Sequence, residues 1–284
     1  MVTKINWYQN KEILEWCWAS DNVLIRSPYW TSCYFIDGLL IDAGAPGGVK
    51  EFREFILSIG PENVKKCVLT HSHEDHVGGA FLLQDEFRIP LFASKKATSI
   101  LKKGYLYPQY RQITWGSGLL PAEVNPIPNP IITSTRNYTF EVLPIPGHAP
   151  DQIALIEHKQ QWVFASDGVQ PKYTRIFGAT SDIQEDIAEI FRSIQSLFIS
   201  TKNMNNLTLF LAGKGIISGR SFLEEKMKEI ESLHQITHDL FKKGLSEEEI
   251  VREIFEGDDF ISIMTGGELS RKNLVSSLLD WPIN

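Results

Sequence analysis

The chain has 284 residues, 43% of them hydrophobic and 22% charged, with a formal net charge of −7. That length supports one large domain, or a domain and an appendage, with ample apolar core. There is no basic tail or Lys/Arg stripe, so nucleic-acid binding is not expected; no apolar run is long enough to span a bilayer and the start lacks an apolar leader, so neither membrane insertion nor export is expected. The three cysteines, Cys17, Cys33 and Cys67, are scattered without CxxC spacing. They read as free thiols in a reducing compartment, and the expected location is the cytoplasm.

In chain order, residues 23–25, 33–36 and 39–42 read as short strands, the last two joined at Asp37-Gly38. Apolar residues at 49, 52, 55, 56 and 59 predict a helix that Gly60-Pro61 ends. A strand over 64–69, a short helix over 77–84, a strand over 89–93 and a helix over 94–103 follow. Residues 105–137 are rich in proline and aromatics and have weak periodicity. Loops of that length are usually functional or disordered; the aromatic content argues for a packed one, and at least part of it is expected to overhang a site. Strands are expected at 138–143, 152–157 and 162–165, then a helix over 181–199 with Ser181 as N-cap and Glu185 and Asp186 in its first turns. A last strand covers 207–211. Beyond Gly219 come charged helices: one over 222–243, a second capped by Ser246, a third over 262–279. The expected domains are residues 1–217 and a helical extension, residues 218–284.

The densest chemistry is the run His71-Ser72-His73-Glu74-Asp75-His76, directly after an apolar strand and ahead of Gly78-Gly79. His71 and His73 are two apart and project the same way in extended chain. The turn into the next helix then presents Asp75 and His76, so two ligand sets fit within one short run. Downstream, His148 and Asp167 each follow the carboxyl end of a strand, where open α/β layers build their sites. Nitrogen and oxygen donors without cysteine favour Zn, with Fe or Mn left open and one or two ions per chain.

His71-x-His73-x-Asp75-His76, then Gly147-His148, then Asp167, resembles the metallo-β-lactamase superfamily, in its glyoxalase II and lactonase-like branch. Leu40-Ile41-Asp42-Ala43-Gly44 is similar to that superfamily's early Asp-containing turn, and Leu211-Ala212-Gly213-Lys214-Gly215 aligns with its last motif. The resemblance implies an α/β fold, an αββα sandwich with metals at one edge of the two sheets. It implies hydrolysis of esters, lactones, thioesters, amides or phosphodiesters by a hydroxide nucleophile. It further implies one metal held by His71, His73 and His148, and a second held by Asp75 and His76 with Asp167 bridging. Asp42 would orient a ligand by hydrogen bonding, and Asp75 would position water or pass a proton to the leaving group.

The chain departs from the superfamily at Lys214, where the last motif normally ends in a histidine. An ammonium with a pKa near its ordinary value of about 10.4 cannot ligate. The preferred reading is that its charge replaces the second metal beside Asp75 and Asp167. The alternative is a weakly bound second ion whose field, with burial, depresses the lysine pKa. One Zn suffices for hydrolysis, and a charged Lys214 could stabilise an oxyanion.

The reading reached is a metal-dependent hydrolase acting on a small ester, thioester or lactone, with homodimerisation left open; the substrate class rests on family analogy. Tyr105 and Tyr107 are candidate substrate contacts. Trp7, Trp16 and Trp18 read as core or interface anchors, His158 as a surface residue, and His234 and His238 as one helix face. Two rivals stand beside this reading: a phosphodiesterase or nuclease of the same fold, and a binding or regulatory protein whose site decayed at Lys214.

Overall fold

The computed structural model describes residues 2–21, 28–178 and 184–283. The strand expected at 23–25 and the N-cap Ser181 lie outside them. The chain folds as two compact units: residues 1–144, 151–166 and 208–217 form the first, and residues 145–150, 167–207 and 218–284 the second. Segments 145–150 and 167–207 therefore join the extension beyond 218 in one unit. Among the described residues no helix is long and apolar enough to cross a membrane.

The first unit is built on two sheets. One has seven strands in sequence order: β1 (Val2–Tyr8), β2 (Ile13–Ala19), β3 (Trp30–Ile36), β4 (Leu39–Ile41), β5 (Lys66–Val68), β6 (Leu91–Ala93) and β7 (Asn125–Pro126). The first four run antiparallel and β4 to β7 run parallel. The helices interleaved with them are α1 (Val49–Ile59), α2 (Glu74–Val77), α3 (Ala80–Asp85), α4 (Lys95–Lys103) and α5 (Gln109–Trp115). The second sheet contains β8 (Ile131–Ile132), β9 (Thr139–Pro144), β10 (Ile153–Glu157) and β11 (Trp162–Ser166). After β12 (Ile176–Phe177), which belongs to the second unit, it is completed by β13 (Thr208–Leu211) and β14 (Gly215–Ser218).

Strand alternation divides the core in two. On the first sheet, Leu14, Trp16, Trp18, Leu40 and Cys67 face Phe52, Phe55 and Ile56 of α1 and Leu83 of α3. Ile13, Leu39, Ile41 and Val68 point the other way, against Phe140, Leu155, Phe164 and Phe210 of the second sheet. The period of two places neighbouring residues in different layers. Trp16 stacks on Phe55 at 5.8 Å and Phe164 on Phe210 at 4.4 Å. Trp16 and Trp18 are the core anchors expected, whereas Trp7 is 52% exposed on the edge strand β1.

Several elements differ from the sequence reading. The hairpin β1–β2 escaped it because β2 carries a charge, Glu15, inside an otherwise apolar run. That carboxylate is buried but accepts hydrogen bonds from Ser32 at 2.8 Å, Tyr34 at 2.9 Å, Asn6 at 2.8 Å and Tyr8 at 2.7 Å. The helix expected at 77–84 is two short helices parted at Gly78-Gly79. The 105–137 segment is not irregular throughout: it contains α5, β7 and β8.

In the second unit, α6 (Ile187–Ser200) starts later than 181, because the Asp186 side chain caps it by accepting from Glu189 N. Then come α7 (Ser221–Lys242), α8 (Glu247–Phe255) with a Ser246–Glu249 capping box, α9 (Phe260–Met264), β15 (Leu269–Ser270) and α10 (Arg271–Asp280). The third helix expected over 262–279 is thus two helices. Gly266 and Gly267 take positive φ of 61° and 85°, and Ser270 caps α10 through Asn273 N. Ile250, Val251 and Val275 form a small core among these helices.

The close approach at Gly78 fixes the motif-bearing turn. Its N–H donates to Gly44 O at 2.7 Å, and Ala43 N donates to His76 O at 2.7 Å. A Cβ on Gly78 would lie 2.2 Å from Pro46 N, which is backbone and cannot rotate away. Gly78→Ala is therefore expected to cost about 3 kcal/mol or more, at the top of the overpacking range. Urea unfolding measures it, and a loss below ~1 kcal/mol would show that the turn yields freely.

Candidate metal centre

Within the first unit the histidine run converges. β5 delivers His71 and His73, and α2 starts at Glu74 so that His76 turns back over His71. Ring centroids are 4.6 Å apart for His71–His73 and 4.2 Å for His71–His76. All three imidazoles and Asp75 are buried. Three imidazoles do not gather in a dry site unless their polar edges are satisfied.

Asp42 and its hydrogen-bond partner Thr70 satisfy two of them. Asp42 sits at φ 65° at the end of β4. One carboxylate oxygen accepts from Thr70 N at 2.7 Å; the other is 2.8 Å from His76 Nδ1 and 2.9 Å from Thr70 Oγ1. Ser166, at the end of β11, adds its hydroxyl 3.3 Å from the same oxygen. Thr70 Oγ1 is also 3.1 Å from His71 Nδ1 and 3.1 Å from Ser166 Oγ. Oxygen partners at Nδ1 favour hydrogen on that nitrogen and a lone pair on Nε2, the form that binds a metal.

A second buried cluster borders the first. Arg111 of α5 donates to Glu74 Oε1 at 2.5 Å and lies 3.6 Å from Asp75 Oδ1. The other oxygen of Asp75 is 3.4 Å from His76 Nε2. Tyr105 donates to Ser72 O at 2.6 Å. The segment 105–116 therefore packs onto the histidine run, as its composition suggested. Tyr105 reaches the run itself; Tyr107 instead donates to Gly116 O at 2.7 Å, which braces its own segment. Burial raises the Glu74 pKa above its ordinary value, and the Arg111 charge opposes that rise. Arg111 and Glu74 were not singled out in the sequence, where an Arg 37 residues from its partner gives no local signal.

The second unit brings together the other two predicted ligands. His148 Nε2 is 3.7 Å from Asp167 Oδ2, and His148 Nδ1 is 2.6 Å from Glu185 Oε1. Both His148 and Glu185 are buried. Glu185 was expected inside a helix; it precedes α6 instead, which frees its side chain to meet the imidazole.

Lys214 lies exposed on the turn between β13 and β14 of the first unit. That turn is anchored from the Glu15 network: the Tyr34 hydroxyl, shared with Glu15, lies 2.8 Å from Leu211 O, and Gly213 N donates to Ser32 Oγ at 2.8 Å. His158 is exposed beside Glu141. His234 and His238 are more than a helix face: both Nε2 atoms donate to Trp281 O, at 2.7 and 2.9 Å, closing the end of α10. The cysteines are buried and free; burial, then the Glu15 charge, pushes the Cys17 thiol up to about 12.

Two face-to-face mixed sheets with helices, and a histidine run at the strand ends, define an α/β sandwich with a candidate metal centre. Residues 28–189 match the profile of the metallo-beta-lactamase superfamily, and the chain belongs to that superfamily. A hydroxyacylglutathione hydrolase of Haemophilus influenzae is 27% identical over 159 residues, 54% of this chain and 69% of that one. A probable metallo-hydrolase of Methanocaldococcus jannaschii is 28% identical over 137 residues, 45% of this chain and 63% of that one. The chain spans between 41% and 69% of the length of the curated relatives it matches. A metallo-beta-lactamase family protein from Thermus thermophilus superposes with a TM-score of 0.62 at 16% identity, covering 89% of this chain and 88% of that one. The metallo-beta-lactamase from Pontibacter korlensis does so at 0.61, with 16% identity and coverage of 81% and 99%. The fold is the αββα sandwich of the superfamily with a helical extension, and the chain is an enzyme of its metallo-hydrolase class.

The Arg111–Glu74 pair yields a pH prediction. Arg111→Met leaves Glu74 buried beside Asp75 without its cation, which is expected to cost about 3–5 kcal/mol at pH 8. The Glu74 pKa is already raised, so its burial is cheapest when protonated and the penalty grows as pH rises through the folded pKa. Urea unfolding of metal-free protein should show a clearly smaller loss at pH 5 than at pH 8. An equal loss at both would mean that Glu74 does not depend on Arg111.

Proposed function

We propose that the chain is a metal-dependent hydrolase whose substrate is a small ester, thioester or lactone. The observation that carries this reading is the pair of imidazoles held on Nδ1 by the Asp42–Thr70 knot, with Nε2 of each left as the donor atom. By the superfamily resemblance His71, His73 and His148 would hold one ion, and Asp75 and His76, with Asp167 bridging, a second; imidazole nitrogens and carboxylate oxygens suit a divalent ion. Asp167 is bonded directly to Ser166, whose hydroxyl is 3.3 Å from His76 Nδ1. His148 lies in the connection from Pro144 to Ile153, and Ile153 N donates to Thr70 O at 2.9 Å.

The donor set is nitrogen and carboxylate oxygen, which fits Zn and also Fe or Mn. A bound divalent ion would supply Lewis acidity and lower the pKa of a water in the site. The chain's own groups do the rest. Asp42 and Thr70 hold two imidazoles in one tautomer and raise their basicity. Asp75, flanked by Arg111, can take a proton from the attacking water and deliver it to the leaving group. The Lys214 ammonium would stabilise the oxyanion of a carbonyl substrate and supply charge where the superfamily uses a further histidine. The relative named a hydroxyacylglutathione hydrolase supports a thioester as the first class to try. Buried cysteines suit a cytoplasmic setting.

On this account, protein purified without added metal carries about one ion per chain, and Lys214→His raises that to about two. His73→Ala loses the ion and more than about 100-fold in kcat/KM, beyond what an outer-shell change costs. Elemental analysis, with turnover of a thioester, lactone and bis-aryl phosphodiester panel, measures both. No metal in the natural chain after Zn, Fe or Mn supplementation would sink the hydrolase mechanism. Turnover of the phosphodiester alone would move the substrate class.

A further inference from the structure

Glu185 is a buried carboxylate that meets a predicted ligand without itself belonging to the metal pattern. Its Oε1 lies 2.6 Å from His148 Nδ1, and its Oε2 accepts from Phe177 N at 2.9 Å. Its own N–H returns the bond to Phe177 O at 3.2 Å. The carboxylate is thereby locked at both ends.

What locks it comes from the C-terminal extension. Phe177 is paired with Leu269, and Ile176 with Ser270, in the two-stranded sheet β12–β15. Asn273 Nδ2 of α10 lies 2.8 Å from Gly267 O, 2.9 Å from Glu268 O and 3.4 Å from Ile176 O, so one amide reaches both β12 and the turn that leads into β15. Gly178 N donates to Glu268 O at 2.8 Å. Ser277 of α10 accepts from Ile187 N at 3.1 Å, fixing the start of α6 just beyond Glu185. The loop bearing His148 is held on the same support. Asp186 N donates to Gly147 O at 2.9 Å and Ser193 donates to Pro146 O at 2.6 Å. Gly147, at φ 131°, approaches so closely that a Cβ would lie 2.4 Å from Ile190 N.

We propose that Glu185 is a positioning residue for His148, and that the C-terminal extension serves the metal centre by clamping Glu185 through β12, β15 and Asn273. The inference rests on the metal reading above. A carboxylate on Nδ1 fixes the ring's orientation, leaves the lone pair on Nε2 and makes that nitrogen a stronger donor. The extension, whose helices carry no predicted ligand, thereby acquires a role at the site.

Chelator competition on the purified full chain, with Zn as the probe, gives the metal affinity. Glu185→Ala is expected to weaken it about 10- to 100-fold. Glu185→Gln, which still accepts from Nδ1 but lacks the charge, should fall between. Asn273→Ala, far from any ligand in sequence, should weaken it in the same direction by a smaller factor. Cooperative thermal unfolding of each metal-free variant separates these effects from misfolding. In histidine labelled with nitrogen-15, the His148 Nδ1–H should give a far-downfield resonance that vanishes in Glu185→Ala and in His148→Ala. Folded Glu185→Ala with natural Zn affinity, or a resonance that survives it, would overturn the proposal. A natural chain that binds no Zn would sink the metal reading, while the resonance would still decide whether Glu185 holds the imidazole.

Discussion

Asp42 is the constraint on which the first unit's site depends. A carboxylate at the end of β4 is expensive to bury, and here both of its oxygens are engaged. It accepts from Thr70 twice, meets His76, and is approached by Ser166 from the second sheet. One group therefore joins the end of β4, the end of β5, the start of α2 and the end of β11. Removing a partner from such a network leaves buried charge without compensation, which costs far more than a surface hydrogen bond. The same bonds that stabilise the crossing of the strands also choose the tautomer of two imidazoles. Fold and chemistry are set by one side chain.

Around that knot the site is layered by charge. Asp75 lies between Arg111 and His76, with one oxygen toward each. The cation comes from a segment that packs over the histidine run and is pinned there by Tyr105. The arrangement gives Asp75 a cation from the chain itself, which fits a last motif that offers Lys214 in place of a ligand. In the second unit His148 has its own carboxylate, Glu185. Each half of the predicted ligand set is thus oriented by a separate acid.

The histidine run was legible because its chemistry is local: three histidines and two acids stand within six residues, and strand periodicity predicts that His71 and His73 project the same way. Asp42 was legible only through its family resemblance. Arg111 and Glu185 were not, since each finds its partner 37 residues away and nothing in the surrounding sequence marks it. Glu185 was further masked by an apparent helix start that Asp186 takes instead. The β1–β2 hairpin was missed because Glu15 breaks the apolar pattern, although four donors satisfy it in the fold. The third helix of the extension broke at Gly266-Gly267, where two positive φ angles overrode the periodicity. In the sheet-bearing unit α1 read more easily, since it shows its buried face directly as Phe52, Phe55 and Ile56.

The central claim is that His71 and His73 are metal ligands, His71 through Nε2. An anomalous difference map from crystals of the protein loaded with Zn, recorded on both sides of the zinc edge, tests it most directly. The account predicts a strong peak about 2.0–2.1 Å from Nε2 of His71 and from a ring nitrogen of His73, with Nδ1 of His71 still facing Thr70. A map without a peak at these rings, or with zinc only at surface carboxylates, would contradict it.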